Sequence, residues 1–228
     1  MRARTDKMTA GRQRRFFNPR PAVCAAAAAL AAVLFLTRVV SAAGQEEYSV
    51  DHVQSRIEGS IKYSVIGRYQ AKFEKFDGEI FFDPAKNQLT GVNLRIDNRS
   101  LCSSYKSLDR IILSPRILHV EKYPRTLFKS KSITPADKKD EYSVTGDLTL
   151  HGVTREITFP FTAEGPFPQQ DRKRILARGE WVIARKDYNM YWHSFLDKAG
   201  LIVGNHMTVD WEITAVSKPV TAPLPSLP

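Results

Sequence analysis

The stretch from Glu141 to Phe161, EYSVTGDLTLHGVTREITFPF, alternates apolar and polar side chains with a period of two on both sides of a His-Gly step. A helix would scatter those apolar residues around its circumference, whereas a half-buried β-hairpin gathers them on one face. Tyr142, Val144, Gly146, Leu148 and Leu150 form that face on the first strand, with Ser143, Thr145, Asp147 and Thr149 behind it. His151-Gly152 turns the chain. Ile157, Phe159 and Phe161 then carry the apolar face back, while Arg155, Thr158 and Thr162 stay nearer solvent.

The same alternation recurs along the chain. Ile57, Gly59, Ile61, Tyr63 and Val65 are in phase, as are Phe76, Gly78, Ile80 and Phe82, and then Val92, Leu94 and Ile96. Asp83-Pro84 with Asn87 supplies a turn between the last two sets. Further strands are expected at residues 126–133, 142–150, 155–163, 174–184 and 206–216, with residues 134–140 and 165–173 as polar, Pro-containing hairpin loops. About eight strands at this spacing predict an all-β antiparallel barrel or sandwich. Two segments lack the alternation. Between Ser100 and Pro124, the residues Leu101, Tyr105, Leu108, Ile111 and Ile112 sit at near-helical spacing, which predicts a short helix in an irregular crossover. Between Asp187 and Val203, the cluster Tyr188, Tyr191, Trp192, Phe195 and Leu196 predicts one or two helical turns ended by Gly200.

The first 43 residues read as a signal peptide: an Arg-rich start, the apolar run from Ala22 to Leu36, and Ser41-Ala42-Ala43 as a cleavage site. The run is short and Ala-rich for a membrane span. Arg14-Arg15-Phe16-Phe17 resembles the twin-arginine export pattern, so the general and twin-arginine routes both stay open. Removing this segment, with its eight basic and one acidic residues, lowers the formal net charge from +10 to +3. A nucleic-acid binder would keep a strong basic stripe after processing, and none is expected here. Cys102 is then the one remaining cysteine, which excludes an intramolecular disulfide, and the histidines show no metal-ligand spacing. The expected domain spans residues 44–217, followed by a Pro-rich, disordered tail at 218–228.

The words TGDLTLHGVTREITFP closely resemble the hairpin signature of the YceI-like family. Other blocks extend the resemblance in order: Val50-Asp51 with Ser55 and Ile57; Phe73, Phe76-Asp77-Gly78-Glu79-Ile80 and Asp83-Pro84; Ser114-Pro115, Glu121-Lys122-Tyr123-Pro124 and Phe128-Lys129-Ser130; and Ile183, Arg185, Asp187 and Tyr188, then residues 198–204. The resemblance implies an antiparallel lipocalin-like barrel of about eight strands with one or two short helices. It also implies a periplasmic protein that binds a polyisoprenoid or related amphiphilic lipid. Gln54, Tyr63 and Ile111 stand where many members carry His, and Leu108 where they carry Arg, whereas Asp109 is retained. These departures imply a more apolar or differently shaped pocket mouth.

The inward set includes Tyr63, Phe76, Phe128, Leu148, Phe159, Trp181 and Trp211, which either fill a core or line a cavity for one apolar chain. Gly59, Gly78, Gly146 and Gly179, in phase with them, are expected to leave volume unfilled. Together with Arg185 and Trp192 these residues form the expected ligand-binding set, with the segment from Tyr188 to Leu196 capping one end and Arg185 near the head group. Arg185 and Asp187 are otherwise read as a structural ion pair. No cofactor or metal is expected beyond a bound lipid; a transient membrane contact and a homodimer are compatible with such a carrier. An enzyme reading would use Cys102, Asp109, His119 and Glu121 in the irregular crossover, and a third reading is an interaction module with a packed core.

Overall fold

The computed structural model describes residues 44–63, 67–115, 117–191 and 203–219, apart from the side chains of Tyr63 and Val203. The expected signal peptide and most of the Pro-rich tail lie outside the described residues. Among the described residues eleven strands form one antiparallel sheet: β1 (Glu46–Val50), β2 (Arg56–Tyr63), β3 (Gly67–Phe73), β4 (Phe76–Asp83), β5 (Gln88–Asp97), β6 (Leu101–Cys102), β7 (Arg125–Pro135), β8 (Glu141–Leu150), β9 (Val153–Gln169), β10 (Arg172–Ala184) and β11 (Val203–Ser217). The sheet closes on itself, because β11 pairs with β10 along one edge and with β2 and then β1 along the other.

Eleven strands make eight staves because three staves are broken. β1 and β2 run in line beside β11, β3 and β4 in line beside them, and β5 and β6 in line next again. Polar groups satisfy the backbone at each break. Asp51 N–H donates to the Thr214 carbonyl at 2.8 Å, and Thr214 N–H donates to Ser55 Oγ at 2.9 Å. Lys75 N–H donates to Ser100 Oγ at 2.9 Å, and a 3-10 turn at Asn98–Ser100 separates β5 from β6. The meander of β7 to β11 completes the ring.

The β8–β9 hairpin has the predicted register, with Leu150 opposite Val153 and Tyr142 opposite Phe161. His151 and Gly152 both adopt positive φ (51° and 75°), the conformation a two-residue hairpin turn demands. At Gly152 a side chain would also run into the Tyr123 ring, so only glycine fits there. Residues 165–173 are not a loop as expected: β9 and β10 continue as a ribbon to a turn at Gln170 and Asp171. Pro166 and Pro168 are tolerated because β8 pairs with β9 only as far as Thr162, so the prolines sit on an unpaired edge. Strands β1 and β3 were not foreseen, the expected strand there running on to Val65, and β6 lies in the segment expected to be an irregular crossover. The predicted helix is α1 (Lys106–Leu113), whose buried residues are Asp109 and Ile112. Of the second helical segment, one 3-10 turn at Arg185–Tyr188 is present, ended by Asn189 at φ 57°; residues 192–202 lie outside the described residues.

The core is the barrel interior. Tyr48, Ile57, Leu148, Ile175 and Met190 are the largest of its fully buried apolar side chains. The row Ile57, Trp211, Gly179, Phe161, Tyr142 runs across five neighbouring staves, so one layer of the interior is set by cross-strand register alone.

Candidate functional site

Ladder pairing between β5 and β7 stops at Asp97–Arg125, and among the described residues β6 pairs only with β3. The barrel wall therefore parts at this end, and the insertion that carries α1 covers the gap. Ile112 from α1 and Ile117 and Leu118 from the following loop turn inward, where they meet Gly59, Tyr69, Leu148, Trp181 and Met190 around a cavity of about 90 Å³. Its walls are almost wholly apolar.

The few polar groups in that wall are engaged. Asn98, 1% exposed, donates from Nδ2 to the Tyr123 carbonyl at 3.0 Å and accepts from Thr126 Oγ1 at 2.8 Å. Arg185 is buried, and its guanidinium donates to the carbonyls of Gly204 at 2.9 Å and Met190 at 2.7 Å. Burial pushes its pKa down from the usual guanidinium value. Asp187 is exposed, so the expected Arg185–Asp187 ion pair is replaced by carbonyl contacts that tie the 3-10 turn to β11.

A second apolar cavity, about 40 Å³, lies further along the barrel among Val92, Phe128, Val144, Phe159 and Trp211. Trp181 borders both cavities. It stacks on Phe128 at 6.2 Å between ring centroids, with Phe159 at 5.1 Å and Trp211 at 6.1 Å, so an aromatic cluster separates the two spaces. Of the expected lining residues, Leu148, Trp181 and Arg185 face the first cavity, and Phe128, Phe159, Trp181 and Trp211 the second. Phe76 is buried but borders neither, and the side chains of Tyr63 and Trp192 lie outside the described residues.

The glycines correct a sequence-based expectation. A Cβ at Gly59 would meet nothing within 4 Å, as an open cavity requires. At Gly146 it would lie 2.5 Å from the Lys129 carbonyl and 2.8 Å from Phe128 Cζ, and at Gly179 2.7 Å from Trp211 Cζ2. Gly78 abuts the Asn93 carbonyl in the same way. Those three glycines admit aromatic rings or a close strand and leave no ligand volume.

Asp109 anchors the insertion. Its carboxylate accepts from Tyr69 Oη at 2.7 Å, from the Ser103 N–H at 3.0 Å and from the Ser103 hydroxyl, with Lys106 Nζ at 3.6 Å. Burial opposes its ionisation, but the hydrogen bonds from Ser103 and Tyr69 and the Lys106 charge outweigh it and hold its pKa below the usual carboxylate value. Cys102 accepts from Lys106 Nζ at 2.9 Å. Among the described residues no hydrogen bond joins Cys102 or Asp109 to His119 or Glu121, and no cluster of metal-ligating side chains is present. His119 packs edge-on against Tyr123. His151 Nδ1 lies 3.0 Å from the Tyr188 carbonyl, which can only accept, so Nδ1 carries a proton and pins the β8–β9 turn to the end of β10. Sequence reasoning missed Tyr69, Asn98 and Met190 because their partners lie across the barrel and leave no local pattern.

The sequence pattern of the YceI-like domain matches residues 48–215. A UPF0312 protein of Pseudomonas putida is 34% identical over 139 residues, 59% of this chain and 72% of that protein. A UPF0312 protein of Vibrio cholerae is 34% identical over 134 residues, 58% of this chain and 68% of that protein. Among solved structures, Burkholderia cenocepacia BcnA superimposes with a TM-score of 0.62 at 24% identity, covering 73% of this chain and 99% of that one. A polyisoprenoid binding domain from Saccharophagus degradans, implicated in plant cell wall breakdown, gives 0.58 at 15% identity, covering 75% and 98%. At these identities the two structures speak for the fold. With the domain pattern spanning most of the chain and the closed eight-stave barrel in place, the protein belongs to the YceI-like family.

Proposed function

We propose that this protein is exported to the periplasm, where its barrel binds and sequesters or carries the apolar chain of a polyisoprenoid, quinone-like or fatty-acyl lipid without chemical change. The observation that carries this reading is the apolar cavity under α1, onto which the inward face of Gly59 opens. The polyisoprenoid-binding description of the Saccharophagus degradans domain, which shares the fold, supports the choice of ligand class. Each methylene moved from water into such a space gains about 0.8 kcal/mol, so a handful of buried carbons gives useful affinity.

A cavity of about 90 Å³ takes only the first part of a long chain. The remainder requires side chains to move, and the adaptable ones are Met190 and Met207, unbranched and soft, beside Trp181. A charged head group stays outside, because an unpaired charge in this wall would cost several kcal/mol. Arg185 holds the chamber wall through its carbonyl contacts, and a head group reaching it would share a cation already engaged.

Native mass spectrometry of protein purified from the periplasm, followed by organic extraction, tests the reading. A bound lipid of defined mass is expected. Protein that carries none, and that takes up none when offered a prenol or fatty acid, contradicts it. N-terminal sequencing of the same material is expected to start near Gly44.

A further inference from the structure

The small positive surplus of residues 44–228 is not spread evenly. Residues 98–126, the insertion that covers the cavity, hold six basic and two acidic residues, a net of +4, against +3 for residues 44–228 as a whole. The rest of the barrel is therefore slightly acidic. Within α1 the one carboxylate, Asp109, turns inward to Tyr69 and Ser103, and Ile112 turns inward to the cavity. Exposed on the other side are Lys106 and Arg110, one helical turn apart, with Tyr105 beside them 53% exposed. Arg99, Lys122 and Arg125, at the ends of the same insertion, are exposed as well, with Glu121 the one exposed carboxylate among the described residues there, so cations prevail on this side. A cationic face carrying an exposed aromatic ring is complementary to an anionic lipid interface, where tyrosine settles at head-group depth and each basic residue gains from the surface potential.

We propose that the outer face of the α1 insertion docks on anionic phospholipid bilayers, so that the covered gap between β6 and β7 meets the membrane. As a route for lipid exchange this rests on the carrier reading above; as a docking surface it stands on charge and exposure. Among the described residues β6 makes no ladder with β7, so a chain passing there would cross from the head-group plane into the apolar cavity without breaking strand pairing.

Co-sedimentation with vesicles tests the surface, using phosphatidylcholine alone and phosphatidylcholine mixed with phosphatidylglycerol. Binding is expected to the mixed vesicles only and to fall as salt rises to about 0.5 M. The pair Lys106→Glu with Arg110→Glu is expected to weaken it about tenfold or more. Arg110→Glu alone, which leaves the Lys106 contacts to Cys102 and Asp109 untouched, is expected to weaken it about threefold. Lys138→Glu with Lys139→Glu makes the same change in net charge in the β7–β8 loop, which is at the other end of the barrel, and is expected to leave binding within about twofold. Equal binding to both vesicle types, equal loss in the two double variants, or self-association in place of vesicle binding would each overturn the proposal. Lipid extracted from the same preparations separates the two readings. Barrel-bound lipid without vesicle docking defeats the docking surface alone, and docking without any extractable lipid defeats the carrier reading alone.

Discussion

Toward α1, the inward-facing Gly59 looks onto open space and the barrel wall is parted; further along the same barrel, the inward-facing Gly146 and Gly179 are pressed against the rings of Phe128 and Trp211. Both regions are made from the same alternating strands. What separates them is the residue opposite each glycine. Register puts Phe128 opposite Leu148, two residues on from Gly146, so that its ring reaches diagonally over Gly146, and puts Trp211 opposite Gly179, so large rings fill those gaps. Gly59 is paired with Val209 and Ala71, neither large enough to cover it. A closed barrel can thus be closely packed around a small void of about 40 Å³ in one half and hold a larger chamber of about 90 Å³ in the other, with Trp181 as the partition.

Removing the partition is the harshest way to break this contrast. Trp181→Ala is expected to cost about 3–5 kcal/mol in urea denaturation, as truncating a buried aromatic does. It should also join the two cavities, so mass spectrometry of extracted lipid should show longer chains than in the parent protein. Next comes overpacking of the filled half. Gly146→Val sets a side chain against the Lys129 carbonyl and the Ser130 Cα, backbone that cannot step aside, and is expected to cost about 3 kcal/mol with little direct effect on the cavity under α1.

Loosening the cover of the chamber has a smaller effect. Asp109→Asn weakens the carboxylate that ties α1 and Ser103 to Tyr69 on β3, at an expected cost of about 1–3 kcal/mol. Because the folded pKa of Asp109 is lowered, its contribution is fully present above the ordinary carboxylate value of about 4 and is lost as pH falls through the folded value. Acid titration of thermal stability should therefore show a steeper decline below about pH 4 in the parent protein than in Asp109→Asn.

The β8–β9 hairpin was legible because everything that fixes it is local: a period of two, a turn glycine and the phase of the returning strand. The same logic placed Leu148, Phe159 and Trp181 in the interior. It could not say which glycines face a void, since that depends on Phe128 and Trp211, which no local pattern connects to Gly146 and Gly179. Nor could it read β9 through Gly165, Pro166 and Pro168, because a proline on an unpaired edge and a proline in a loop look alike in sequence. Asp109 drew attention as one of the crossover residues an enzyme reading would use. Its hydrogen bonds to Tyr69 and Ser103 give it an anchoring role that only the folded arrangement reveals.

The contrast between the two halves is tested most directly by Gly59→Leu, with bound lipid and thermal midpoint measured on the same preparations as the parent protein and Gly146→Val. A leucine at position 59 has room, so stability is expected to change by less than about 1 kcal/mol while lipid occupancy falls to a small fraction of the parent's. A Gly59→Leu protein that is destabilised as strongly as Gly146→Val, or that keeps its full complement of lipid, would contradict the account.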